Sequence, residues 1–162
     1  METQKNRILE LFSKPFVLSE YFKTNERIFV GESLINLLKN YPFFQFNNYE
    51  LGHLQTALIL EGKMFDEEII RILLKQENYP KSIVVDFLDI ALHIERRLVK
   101  DYKLCEVVYI SKPSILKALS IDTRDRDGRL ELQIFDLNKS ANENVSSWKE
   151  GTRFLRKVFK QF

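Results

Sequence analysis

Residues 80–102 read PKSIVVDFLDIALHIERRLVKDY, the strongest periodic signal in the chain. Val84, Phe87, Leu88, Ala91, Ile94, Leu98 and Tyr102 recur at spacings of three and four, which places them on one face of an α-helix. Pro80 suits the first turn, where its missing N–H leaves no helical bond unmade. The spacing predicts one long helix over 80–102.

Toward the N-terminus the same period recurs in shorter pieces. Asp66 reads as the cap of a helix with Glu67 and Glu68 in its first turn, where the helix dipole favours negative charge. Ile69, Ile70, Leu73 and Leu74 form its apolar stripe, and Glu67 and Arg71 stand at i,i+4. Between Asn48 and Gly62, Leu51, Leu54, Leu58 and Ile59 also follow helical spacing, with Asn48 as N-cap and Gly62 as the stop. Glu32 to Lys39 reads as a helix ended by Asn40 and Pro42; Lys5 to Ser13 and Phe16 to Phe22 read as shorter ones. Residues 1–102 are therefore expected to form a helical bundle.

Downstream the period changes. Cys105 to Ile110, CEVVYI, is a β-branched run and a strand candidate. Pro113 to Leu119 reads as a short helix. Leu119 to Thr123 and Arg129 to Leu137 read as a hairpin around Asp127-Gly128, a dipeptide suited to the positive φ of a tight turn. Leu130, Leu132 and Ile134 alternate with Glu131, Gln133 and Phe135, as in a half-buried strand. In the last segment, Phe154, Val158, Phe162, Leu155, Trp148 and Phe159 fall within one helical arc of ~140°. The same projection puts Lys149, Arg153, Arg156, Lys157 and Lys160 in an opposing arc of ~100°. Gly151 falls on the apolar side, which suggests a close backbone approach. The expected fold is α+β and mostly α: a helical bundle, then over 103–162 a small antiparallel β-hairpin and a closing C-terminal amphipathic helix.

Composition bounds this reading. The chain has 162 residues, the length of a single domain over 1–162, and 44% of them are hydrophobic, enough for a core. Its one cysteine rules out an internal disulfide. No basic start followed by an apolar run marks a secretory signal, and no stretch reaches the ~18–20 apolar residues of a membrane span, so a cytoplasmic protein is expected. The net charge of +2 is uneven, with nine basic and eleven acidic residues in 1–80 against sixteen and twelve in 81–162. Any anion-binding surface is expected in the second half.

Chemistry-bearing motifs are sparse. Cys105, His53 and His93 have no partner residues around them that mark a nucleophile and its base, so structural roles are expected. Isolated glycines make neither a Walker loop nor a dinucleotide fingerprint, and no metal-ligand spacing is present; no cofactor is expected. The turn at Asp125, Asp127 and Gly128 matches three positions of a calcium loop, but Thr123 and Ile134 stand at its first and last. Asp122, Glu131 and Gln133 match a hairpin nuclease site loosely, with glutamine where that class has lysine.

The basic residues remain. Arg124, Arg126 and Arg129 edge the hairpin turn, and Arg153, Arg156, Lys157 and Lys160 line the last helix. Over residues 111–137, the order of short helix, basic hairpin and following helix resembles the recognition helix, wing and terminal helix of winged-helix regulators. The resemblance makes Arg124, Arg126 and Arg129 the wing. The chain departs from that pattern where Cys105 to Ile110 reads as a strand and Pro113 stands at the helix start. The function expected is a non-enzymatic binding protein with nucleic acid as partner. The alternative is a protein–protein module: an accessory subunit, an inhibitor or immunity protein, or a component of an assembly.

Overall fold

The computed structural model describes residues 16–39, 43–44, 52–76, 85–99, 104–110, 116–123, 127–137 and 147–159. In chain order the elements are β1 (Phe16–Val17), α1 (Leu18–Tyr21), β2 (Ile28–Val30), α2 (Glu32–Lys39), β3 (Phe43–Phe44), β4 (Gly52–Ile59), α3 (Asp66–Lys75), α4 (Phe87–Val99), β5 (Glu106–Ile110), β6 (Lys117–Thr123), β7 (Leu130–Asp136) and β8 (Arg153–Phe159). Six strands form one mixed sheet in the order β2-β7-β6-β5-β8-β4, and β1 pairs separately with β3. This overturns the expectation of a mostly α bundle with a small hairpin and a closing helix.

Two segments read as helices are strands. The first is β4. A bulge between Thr56 and Leu58 breaks its register against β8, so that Leu54 and Leu58 turn to opposite faces of the sheet. Apolar residues four apart then imitate a helical stripe. The second is β8, which lies between β5 and β4 and is covered on both faces. Phe154 packs into one core cluster and Leu155 into the other. A strand buried on both faces carries consecutive apolar residues, and period alone does not separate it from a helix. Gly151 adopts φ +90° in the turn that leads into β8, and open space surrounds the position of its missing Cβ. It serves backbone conformation, not close approach.

The other expectations divide. α2, α3 and β5 stand where the sequence places helices and a strand, and β6 pairs with β7 as the expected hairpin, with Gly128 at φ +74° in its turn. The short helix expected over Pro113 to Leu119 is replaced from Lys117 onward by β6. That removes the recognition-helix part of the winged-helix pattern. The long helix is shorter than expected: α4 begins at Phe87, where Asp86 N–H donates to Asp89 Oδ2 at 3.0 Å and closes the first turn. Residues 1–15 and 80–84, Tyr102 and the part of the last segment from residue 160 lie outside the described residues.

The sheet separates two cores. On one side α1, α2 and α4 bring Leu18, Leu34, Leu88, Ala91 and Ile94 against Val108, Leu119, Ile121, Leu132 and Leu155. On the other, α3 brings Ile69 and Leu73 against Val107, Tyr109, Ala118 and Phe154.

Candidate functional site

One side of the sheet is cemented by charge. α4 carries Asp89, His93 and Arg97 at i, i+4 and i+8, a single stripe turned inward to the strands. Lys157 Nζ of β8 lies 3.2 Å from Asp89 Oδ1. Glu106 Oε1 of β5 takes His93 Nε2 at 2.9 Å and Arg97 Nη1 at 2.8 Å. Arg97 also donates to the carbonyls of Ile121 and Leu104 and, at 3.1 Å, to Thr123 Oγ1. Burial pushes the Glu106 carboxyl upward, but the His93 hydrogen bond and the neighbouring charges of His93 and Arg97 outweigh it and leave the group below its ordinary value. Burial pushes Asp89 up in spite of Lys157. All five groups are buried. Their geometry holds α4 on the sheet.

This accounts for one histidine of the sequence reading. His93 serves Glu106, while Cys105 packs into the cluster on the opposite face of the sheet, so the two do not meet. Burial, followed by the charge of Asp122, pushes the Cys105 thiol up to about 11. His53 stands on β4, across from Val158 of β8.

Among the described residues, the basic side chains Arg129, Arg153, Arg156 and Lys157 are not gathered on one surface. Arg124, Arg126 and Lys160 lie outside the described residues. Arg129 donates to Asp127 Oδ2 at 2.8 Å and to the Asn25 carbonyl at 3.1 Å, with its guanidinium 5.5 Å from the centre of the Phe29 ring. That is the β2–β7 edge; β8 lies three strands away, about 14 Å at the usual spacing. On β8, Lys157 is buried against Asp89, and Arg156 turns to the opposite face from Arg153 and Lys157. The helical arc that joined these side chains does not exist in a strand.

The second side of the sheet carries a different array, on β2, β7 and β6 beside α3. Register places Phe29, Glu131 and Asp122 in one row across three strands. The next row on that face holds Gln133 and Ser120, with Phe135 and Ala118 beyond them. Asp122, Glu131 and Gln133 are half-buried, and Phe135 is 44% exposed. Phe135 meets Trp148 edge to face at 5.6 Å, and Trp148 meets Phe154 at 6.0 Å. Trp148 is held in place: its Nε1 donates to Asp66 Oδ1 at 2.6 Å, and Tyr109 Oη donates to the same oxygen at 2.8 Å. Asp66 therefore does not cap α3. It is the first helical residue, fully buried, and an anchor for two aromatic side chains.

As a nuclease-type site this face lacks parts. Gln133 Nε2 donates to Glu131 Oε1 at 3.2 Å where a lysine would stand. Among the described residues no three His, Cys, Asp or Glu side chains are grouped to hold a metal ion. The Asp66 anchor had no sequence signal, because its partners are 43 and 82 residues away. Phe135 did have one: it is the aromatic on the polar side of an alternating strand.

Compared with known proteins, the chain matches no family model, no curated protein and no solved structure. Among the described residues no helix is long and apolar enough to cross a membrane.

Proposed function

We propose that this chain is a non-enzymatic protein-binding module that docks its partner on the β6–β7 face beside α3. The observation that carries the reading is Phe135, a large aromatic left 44% exposed on an indole that is itself fixed by Asp66. A rigid aromatic pair loses little conformational entropy on binding, and such residues are enriched where proteins meet. The same face argues against a nucleic-acid backbone. Its half-buried charges include Asp122 and Glu131, which repel phosphate, while the Arg129 guanidinium beside Phe29 is paired with Asp127 and Lys157 is spent inside the protein.

The test is site-specific photo-crosslinking in cells with benzoylphenylalanine in place of Phe135, and at exposed Glu20 as control. A discrete protein adduct at position 135 that is missing at position 20 is expected. An adduct with nucleic acid, or no adduct specific to position 135, overturns the reading. Binding of the purified chain to mixed-sequence DNA and RNA at ~50 mM salt, falling steeply as salt rises, would move the nucleic-acid alternative ahead.

A further inference from the structure

The two carboxylates of this face are in an unfavourable arrangement that a partner would relieve. Asp122 and Glu131 are direct cross-strand neighbours. Like charges placed directly opposite destabilise a ladder. Asp122 Oδ1 accepts the Thr123 N–H at 2.8 Å, and Glu131 Oε1 accepts the Gln133 amide at 3.2 Å. Among the described residues, Arg129 beside this face is engaged with Asp127 at 2.8 Å, and Lys117 with its partner Asp136 at 2.5 Å projects from the other face. No ion pair joins Asp122 or Glu131 to a cation of the described chain. A cation seated over the pair satisfies both charges.

The second anchor lies along the same strand. Phe135 is four residues from Glu131, about 13 Å at the rise of a β-strand, and projects from the same face. In an extended segment, side chains four residues apart also project on one side at about that distance. We infer that the partner presents an extended segment in which a lysine or arginine stands four residues from a bulky apolar side chain, the cation over Asp122 and Glu131 and the apolar group against Phe135 and Trp148. The inference rests on the protein-binding reading above. It adds the chemistry of the segment that binds.

The probe is a pair of nine-residue peptides, Gly-Ser-Lys-Ser-Thr-Ser-Leu-Ser-Gly and the same peptide with glutamate for lysine, titrated into the 15N-labelled full chain by NMR. The lysine peptide should bind at least about tenfold more tightly, since the exchange replaces attraction by repulsion at two half-buried carboxylates. Its largest shifts should fall at positions 122, 131 and 135. In the double variant Asp122→Asn, Glu131→Gln the preference should drop to about one. That variant keeps the acceptor oxygens used by Thr123 and Gln133, and its own spectrum shows whether it is folded. Equal affinity for the two peptides, shifts centred elsewhere, or binding of neither overturns the inference. The position-135 crosslink separates this failure from failure of the parent reading. An adduct of unchanged yield in the double variant leaves a protein-binding face with different chemistry; loss of the adduct in the otherwise native chain removes the parent reading itself.

Discussion

Glu106 shows how individual residues hold this molecule together, because its carboxylate joins β5 to two side chains of α4. Glu106→Ala leaves Arg97 buried without its carboxylate and should cost about 3–5 kcal/mol in urea unfolding. A cost under ~1 kcal/mol would mean that the ionic stripe adds nothing to the seam. The two buried acids should respond oppositely to pH. Glu106 is held below its ordinary value, so its contribution is complete above that value and is lost as pH falls through the lower folded one. Asp89 is pushed above its ordinary value by burial, so the native state keeps that proton longer. Stability from Asp89 should therefore rise as pH falls from its raised value toward the ordinary one, and Asp89→Asn should abolish that rise in a pH series of unfolding curves. Cys105 follows the same logic. With its thiol pushed to about 11 from an unfolded value of 9.0, iodoacetamide should alkylate it about a hundredfold more slowly at pH 8 in the native chain than in urea. Equal rates would show the thiol to be open and activated. The apolar setting of Cys105 was legible in the sequence from its neighbours. The partner of His93 was not, since Glu106 reaches it through tertiary contact.

Among the elements, β8 decides between the two readings of the chain, and Gly151 is the position where they diverge experimentally. In a helix, Gly151→Ala would stabilise by up to about 1 kcal/mol. At φ +90° in the turn before β8, a Cβ brings left-handed strain of about 1–2 kcal/mol, so thermal unfolding should show a loss. A gain would restore the helix. Gly31 has a different reason to be glycine. It follows β2, and an added Cβ would lie 2.0 Å from Gln133 Oε1, so the glutamine must swing away. Gly31→Ala should cost about 1 kcal/mol, and Gln133→Ala should suppress most of that cost in a double-mutant cycle. The helices α2, α3 and α4 were legible because each has one apolar face and one wet or polar one. β4 and β8 were not, because a bulge and two-sided burial erase the alternation that marks a strand.

For the whole molecule, the order of the sheet makes the end of the chain essential to the middle. β8 stands between β5 and β4, and its partner β4 is about a hundred residues earlier in sequence. A chain cut after Asn144 loses β8 together with Trp148, the Asp66 partner, and leaves β4 separated from the rest of the sheet. It should lose cooperative unfolding by circular dichroism and bind the dye ANS. A truncated chain that still unfolds in one sharp step would show that the first 144 residues are self-sufficient, as a helical bundle would be.

The sequence by itself determined a chain with enough apolar residues for a core, the amphipathic helices α2, α3 and α4, strand β5 and the β6–β7 hairpin. Each of these follows from local period and turn chemistry, which act over a few residues. Only the tertiary structure decided that β4 and β8 are strands, that Lys157 is buried against Asp89, and that Asp66 fixes Trp148 beneath Phe135. A strand's hydrogen bonds lie on its neighbours, and those neighbours are chosen by packing between segments far apart in sequence. The same applies to charge: Arg153, Arg156 and Lys157 group together on paper, but the fold turned Lys157 inward and set Arg156 on the opposite face of the sheet from Arg153 and Lys157.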